Sequence, residues 1–284
     1  MRLLPSTDGV ELAVHDLGGD GPPLVMAHAT GFCADVLGPL ATELGDRFHC
    51  WAYDARGHGE TLTPEPQDWA WSRFADDVLA VVDGLGLDGR DVVGFGHSGG
   101  GAAVLDAEAR HPGTFAALWC FEPILWPEVS DALVESRRPL VEATLRRRAT
   151  FASRAEAYGN FASKPPLESL HPAALRAYVD CGFGPDVDVG DGACVGGSGI
   201  RLRCEPEVEA AIYRQGLVHD GFARLPAVAC PVAVARGARS TALEAAVVDA
   251  QVAALPRARV ETFADLGHFG PMEDPAAVAA RIRG

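Results

Sequence analysis

The sequence predicts an α/β fold in which a mostly parallel sheet is covered by helices on both faces. Apolar runs of strand length alternate with segments of helical periodicity along most of the 284 residues. The inner runs are apolar almost without interruption, which is typical of parallel strands buried on both faces. The alternation stops after Pro123 and resumes at about residue 226, which indicates an insertion into the sheet domain.

The predicted elements follow one another in a regular order. Two short strands are expected around the Asp8-Gly9 turn near the N-terminus. The first half then gives the strands "PLVMAH" and "FHCWAYD", the helix "RFADDVLAVVDGLGL", the strand "DVVGFG", the helix "GGAAVLDAEARHP" and the strand "AALWCFEP". The last part gives the strand "CPVAVARG", the helix "TALEAAVVDAQVAAL", the strand "ARVETFA" and the helix "PAAVAARIR".

The inserted segment, residues 123–225, is expected to form a helical cap, or lid. It contains helical patterns and a glycine-rich stretch near 182–199. Loops without structure are rare beyond about 15 residues in compact domains, and open α/β sheets bind ligands at the carboxyl ends of their strands. We therefore predict a core domain of residues 1–122 and 226–284, covered by a cap of residues 123–225.

Ser98 lies between glycines in "GHSGG", directly after a predicted strand and before a predicted helix. A serine on so sharp a turn presents its hydroxyl as a nucleophile, and the flanking glycines avoid a clash at Cβ. The alternative is a plain glycine turn. The strand and helix on either side favour the nucleophile.

Four stretches, taken in chain order, resemble the α/β-hydrolase family. They are "AHATGF" at 27–32, "YDARGHGET" at 53–61, "GHSGG" at 96–100 and "LGHFGPMEDP" at 266–275. The first departs from the family by having Ala29 where glycine is usual, and the second has Thr61 in place of serine. The resemblance implies the α/β-hydrolase fold and hydrolysis through an acyl-enzyme, with no metal and no cofactor.

A serine hydroxyl needs a base within hydrogen-bonding reach. Of the nine histidines, His268 follows a strand and comes after Ser98, as the order of the family requires. We expect His268 to be that base. His97 should point away from the turn, and His28 and His58 are expected to brace loops.

The third catalytic residue departs from the commonest pattern of the family. Its usual aspartate position, just after the strand "PVAVARG", is occupied by Ser240, and the next carboxylate is Glu244. Some branches of the family instead carry a glutamate at the end of the strand that follows the nucleophile. Glu122 lies there, so we predict that it orients the histidine. Asp265 is the other candidate, and a purely structural role for Glu122 is the alternative.

The resemblance places the two oxyanion donors at Thr30 and at Gly99, the residue after the nucleophile. A backbone N–H at the start of a helix is well placed to stabilise negative charge. For the substrate pocket we expect Phe32, Phe121 and Trp126 to form apolar walls.

The expected activity is hydrolysis of a carboxylic ester or lactone of a small apolar substrate. One alternative is a carbon–carbon bond hydrolase of a ring-cleavage product, for which Arg137, Arg138 or Arg154 would bind the carboxylate. Another is a small-molecule sensor without catalytic activity. Turnover of a simple ester would distinguish an enzyme from a sensor.

The composition narrows the possible partners and location. A net charge of −15 disfavours binding to nucleic acid or to anionic membranes, which leaves a small molecule as the expected partner. The sequence has no apolar signal segment, and its seven cysteines form no CxxC pair, so we predict a cytoplasmic protein with reduced thiols. The acidic stretch 186–192 lacks the ligand spacing of a calcium loop, so no metal is expected.

Overall fold

The computed structural model describes residues 1–65, 67–187 and 196–284. Within these ranges the chain forms a large eight-stranded sheet and a small three-stranded one. In chain order the strands are β1 (Arg2–Pro5), β2 (Glu11–Gly18), β3 (Pro23–Ala27), β4 (His49–Tyr53), β5 (Val93–His97), β6 (Ala117–Phe121), β7 (Thr150–Phe151), β8 (Phe183–Val187), β9 (Gly196–Leu202), β10 (Val232–Gly237) and β11 (Ala258–Phe263).

The large sheet has the order β1-β2-β4-β3-β5-β6-β10-β11. Every pairing from β4 to β11 is parallel, whereas β1 pairs with β2, and β2 with β4, in antiparallel fashion. The predicted mostly parallel sheet is confirmed. Its carboxyl ends lie side by side, so the residues that follow β5, β6 and β10 meet at one edge.

Helices cover both faces of the sheet, as predicted. They are α1 (Gly38–Leu44), α2 (Trp71–Gly84), α3 (Gly99–Arg110), α4 (Asp131–Leu145), α5 (Arg154–Ala162), α6 (Pro172–Cys181), α7 (Pro206–Gln215), α8 (Gly221–Arg224), α9 (Ala245–Ala254), α10 (Gly270–Glu273) and α11 (Pro275–Arg283). The apolar residues of α1 and α11 pack in one core cluster, and those of α2, α3 and α9 pack in another. Neighbouring residues of β3 alternate between the clusters, with Met26 in the first and Val25 in the second.

The segment between β6 and β10 contains the helices α4 to α8, but it also holds the antiparallel sheet β7-β9-β8. The sequence analysis did not anticipate this sheet. Strand β7 has only two residues, and β9 reads "GGSGIRL", whose glycines carry no β propensity. Most of the acidic stretch 186–192 lies outside the described residues.

The parts of the chain that the structure describes contain neither a membrane-spanning helix nor a cluster of metal ligands. No helix there has the length and hydropathy needed to cross a bilayer. Nor do three or more histidine, cysteine, aspartate or glutamate residues come together there in a way that could hold a metal ion.

Candidate active site

Ser98 lies on the tight turn between β5 and α3. Its backbone has φ 56° and ψ −116°, a left-handed conformation that is strained for a residue with a side chain. Two glycines make the turn possible. A Cβ on Gly96 would lie 2.6 Å from the carbonyl oxygen of Gly100, and a Cβ on Gly100 would lie 2.4 Å from the carbonyl oxygen of Ala27. The turn thereby directs the Ser98 hydroxyl into the cavity described below.

His268 lies on the loop after β11 and contacts both Ser98 and Glu122. Its Nε2 is 3.1 Å from Ser98 Oγ, and its Nδ1 is 2.6 Å from Glu122 Oε2. An ionised carboxylate can only accept a hydrogen bond, so Nδ1 carries the proton and donates it to Glu122. Nε2 is then left with a free lone pair facing the serine hydroxyl, as a general base requires.

Glu122 follows β6 directly and is fully buried, with its backbone at φ 45°. A buried carboxylate is costly unless it is hydrogen-bonded. Besides the bond from His268, Oε1 accepts the backbone N–H of Gly237 at 2.9 Å, and Oε2 accepts the hydroxyl of Ser240 at 2.6 Å. The serine at the usual acid position thus donates to the glutamate, a contact that the sequence analysis missed.

The other two carboxylates considered from the sequence lie elsewhere. Asp265 forms an ion pair with Arg239 at 2.5 Å, and its side chain is 83% exposed. Glu244 is exposed at the N-terminus of α9. Of the three candidate acids, Glu122 is the one that the structure brings into hydrogen-bonding contact with His268.

Thr30 and Gly99 lie next to each other beside Ser98. A Cβ added to Gly99 would lie 2.6 Å from Thr30 Oγ1 and 3.8 Å from the Thr30 backbone nitrogen. Gly99 is the first residue of α3, and the first N–H groups of a helix have no partner within it. Both residues line the same cavity as Ser98.

Two buried histidines fix the loop that carries Thr30. His28 Nδ1 donates to the carbonyl of Ala29 at 2.8 Å, and His58 Nε2 accepts the N–H of Gly31 at 2.9 Å. Burial, followed by the influence of His28, lowers the pKa of His58 to about 4, so its ring stays neutral and able to accept. The bracing expected of both residues is what the structure shows.

His97 points away from the nucleophile, in agreement with the sequence analysis. Its Nε2 is 2.8 Å from the backbone carbonyl of His268, so it donates to the loop that carries the base. Burial, reinforced by the neighbouring His268, holds the pKa of His97 well below its usual value. A neutral ring in this place supports the loop without adding charge beside His268.

A cavity of about 470 Å³ opens above Ser98 and His268, within the range usual for small-molecule sites. The core and the insertion both contribute to its walls. The core provides Trp71 and Phe269, and the insertion provides apolar side chains from α4 and α7 and from the segment before α4. The apolar side chains from the insertion include Ile124, Trp126, Leu140, Val141 and Leu217.

Of the three aromatic residues predicted for the pocket, Trp126 lines the cavity but Phe32 and Phe121 do not. Phe121 is fully buried under the loop of His268, where a Cβ on Gly270 would lie 2.3 Å from its ring. Phe32 packs against the rings of Tyr178 and Phe269. Both belong to the core packing beneath the site, so these two assignments were wrong.

Of the three arginines considered for a substrate carboxylate, Arg137 alone lines the cavity. Arg138 pairs with Glu135 on the exposed side of α4. Arg154 lies 3.8 Å from a carboxylate oxygen of Asp180, also near the surface. The structure therefore separates three residues that the sequence left equivalent.

Among curated proteins, a probable oxidoreductase named EphD from Mycobacterium tuberculosis is 33% identical over 135 residues, which are 47% of this chain and 22% of that protein. A bifunctional esterase/perhydrolase named DCH from Acinetobacter calcoaceticus is 34% identical over 117 residues, which are 39% of this chain and 40% of that protein. The matched parts thus span less than half of either relative.

Among solved structures, the crystal structure of E-2-(acetamidomethylene)succinate hydrolase superposes with a TM-score of 0.81 at 23% sequence identity. The superposition covers 99% of this chain and 96% of that one, so the two proteins share one fold over almost their whole length. The model of the alpha/beta hydrolase family matches residues 24–281. That range includes all four stretches that carried the resemblance, and the chain belongs to the alpha/beta hydrolase family.

Proposed function

We propose that the protein is a serine hydrolase that cleaves a carboxylic ester or lactone of a small, largely apolar substrate. The observation that carries this proposal is the continuous chain of hydrogen bonds from Ser98 through His268 to Glu122, which opens onto a largely apolar cavity. Membership of the hydrolase family and the esterase among the relatives support it. The insertion, residues 123–225, acts as the cap that shapes the pocket.

The reaction begins when Ser98 Oγ attacks the acyl carbon and its proton passes to His268 Nε2. The oxyanion that forms is stabilised by the backbone N–H groups of Thr30 and Gly99. Glu122 remains ionised, accepts the hydrogen bond from His268 Nδ1–H and offsets the positive charge of the imidazolium. When the tetrahedral intermediate collapses, Nε2 returns its proton to the leaving oxygen, and the acyl group stays on Ser98.

The second half of the reaction uses the same groups in reverse. A water molecule takes the place of the leaving group, gives a proton to Nε2 and attacks the acyl carbon. The intermediate then expels Ser98 Oγ, which recovers the proton from His268. This half of the reaction releases a carboxylic acid and regenerates the free enzyme.

Replacing Ser98 by Ala tests this assignment. We expect hydrolysis of p-nitrophenyl butyrate to fall by roughly 10⁴-fold or more, as loss of the nucleophile does in other serine hydrolases. Mass spectrometry after treatment with a fluorophosphonate should find the adduct on Ser98. A Ser98→Ala variant that keeps most of the activity, or an adduct on another residue, would contradict the proposal.

A second candidate is a hydrolase that uses the same residues to cleave a carbon–carbon bond in a substrate that bears a carboxylate. The observation that favours it is the presence of Arg137 in the cavity wall. The two candidates differ in what they turn over. A carbon–carbon bond hydrolase should turn over a ring-cleavage dienoate, whereas the esterase proposed here should leave the dienoate untouched and hydrolyse p-nitrophenyl butyrate. Absence of any turnover, with specific binding of small molecules, would instead favour a sensor.

A further inference from the structure

Arg137 and Trp126 form one wall of the cavity that contains Ser98 and His268. Arg137 lies on α4, and the carbon of its guanidinium group is 4.8 Å from the centre of the Trp126 ring. Stacking on an aromatic face fixes the plane of an arginine guanidinium group. The N–H groups along the edge of the guanidinium are then free to bind a planar anion. We call this pair the Arg137–Trp126 wall.

The guanidinium of Arg137 has no partner among the described residues. Its Nε is buried without a hydrogen-bond acceptor, and the group takes part in no ion pair there. Arg236 likewise has a buried Nε without an acceptor, but it does not line the cavity. Arg138 and Arg146, before and after it in the chain, both pair with glutamates.

Burial lowers the pKa of Arg137, and the nearby charge of Glu244 only partly offsets this effect. Arg137 is half-buried, and a cation that loses part of its water without gaining a partner is unfavourable for the fold. Its place in the wall of a substrate cavity is explained if the partner arrives with the substrate.

Two of the other charged groups that line the cavity are already engaged by protein groups. Arg239 pairs with Asp265. Glu273 accepts the N–H groups of Gly267 and Phe269, at 2.7 and 3.1 Å. Glu168, on the short helix Leu167–Ser169, also lines the cavity, but it forms no ion pair with Arg137. Arg137 is thus the cation of this lining that has no counter-ion in the described structure.

We propose that the Arg137–Trp126 wall binds a single carboxylate group carried by the substrate at the end away from the scissile bond. This inference rests on the proposed function only for the end of the substrate that reacts with Ser98. A carboxylate matches the planar fork of one guanidinium and carries one charge. A doubly charged group such as a phosphate would leave one charge unmatched in a chain whose net charge is −15.

The test compares two esters of equal shape. Monoethyl glutarate carries a carboxylate, and ethyl 5-methylhexanoate has an isopropyl group of similar size in the same place. We expect the wild type to give the higher kcat/KM with the charged ester. In Arg137→Gln the ratio of kcat/KM, charged to neutral, should fall by roughly 10- to 100-fold, the range for loss of a hydrogen bond to a charged group. The matched control is Arg138→Gln, one residue along the same helix but exposed, in which the ratio should stay as in the wild type.

A wild type that prefers the neutral ester would overturn the inference, and so would a ratio that is equal in Arg137→Gln and the wild type. A stacking role alone would change both esters by the same factor. If Arg137→Gln does not fold, the preference of the wild type and inhibition by free glutarate still decide, because the inference requires competitive inhibition by glutarate but not by 5-methylhexanol.

Binding of glutarate to Ser98→Ala, measured by calorimetry, separates this inference from the proposed function. If neither ester is hydrolysed, the proposed function fails. Glutarate binding that is lost in the Ser98→Ala, Arg137→Gln double variant still supports the carboxylate site in that case. Absence of glutarate binding to Ser98→Ala contradicts it.

Discussion

Ser98 and Glu122 follow directly on the strands β5 and β6 and His268 stands on the loop after β11, whereas Trp126, Arg137 and Leu140 reach the same cavity from the insertion. The reacting groups are therefore fixed by a hydrogen-bonded sheet with core packing on both faces. The cavity walls come from both regions, because the core adds Trp71 and Phe269 to the side chains of the insertion. The hydrogen-bonded Ser98, His268 and Glu122 thus all lie in the core, whereas the insertion adds side chains to the cavity above them.

The two regions meet at the loop of Thr30. Glu209 of α7, in the insertion, lies so close to this loop that a Cβ on Gly31 would be 2.5 Å from its Oε1. The carboxylate is held by Arg147 and by the Tyr213 hydroxyl, which donates to Oε1 at 3.1 Å. Arg147 also donates to the Tyr178 hydroxyl at 2.6 Å. The insertion therefore packs the Arg147–Glu209 ion pair against the Thr30 loop of the core.

Among substitutions where the two regions meet, Arg147→Met is expected to lower the stability of the protein most. It leaves Glu209 buried without its cation, which should lower the free energy of unfolding by about 3–5 kcal/mol. Urea denaturation followed by circular dichroism measures this change. The control is the double variant Arg147→Met, Glu209→Met, which removes both charges and should regain most of the loss. If the double variant is less stable than the single one, the ion pair stabilises the interface outright and the account of an unpaired charge is wrong.

A smaller effect on stability is expected from His58, which contacts the same loop from the core. This effect depends on pH. His58 must be neutral to accept the N–H of Gly31, and its pKa falls from an unfolded value of about 6.5 to about 4 in the folded protein. Its contribution to stability is complete above pH 6.5 and is lost as the pH falls towards 4, because the unfolded chain then binds the proton more readily.

Between pH 7.5 and 5.5 this histidine should account for a loss of about 1 kcal/mol in the free energy of unfolding. In His58→Gln, whose side chain does not titrate, the loss over that interval should be smaller by this amount. Urea denaturation at the two pH values gives the difference, with His111→Gln, at an exposed position, as the control. An equal loss in the wild type and in His58→Gln would show that His58 does not keep its ring neutral.

Features that local sequence patterns determine could be predicted, whereas features that depend on contacts between distant residues could not. The parallel sheet and the position of Ser98 depend on local patterns, namely apolar strands and a glycine-flanked turn. Glu122 was found because Ser240 occupies the usual acid position and the end of a neighbouring strand offered a carboxylate. The hydrogen bond from Ser240 to Glu122 was missed, because it joins two loops that follow different strands.

The pocket was harder to predict than the catalytic residues. Phe121 lies at the end of a strand next to the site, yet its side chain points under the loop of His268, and the sequence of a fully apolar strand does not indicate which face each residue takes. Trp71 and Tyr213 come from helices of the core and of the insertion, and only the folded chain brings them together. The sheet β7-β9-β8 was missed because its glycine-rich strands lack the alternation of a typical strand.

The central claim is that the core alone supplies the catalytic machinery, with Glu122 as the group that orients His268. It is tested most directly by kcat/KM for p-nitrophenyl butyrate in Glu122→Gln and Ser240→Ala, measured with melting temperatures to confirm folding. Glutamine keeps the size of the side chain but removes the charge that fixes the imidazole tautomer. The account predicts a fall of roughly 10²- to 10⁴-fold in Glu122→Gln and of less than about tenfold in Ser240→Ala. A folded Glu122→Gln variant with activity within tenfold of the wild type would contradict it.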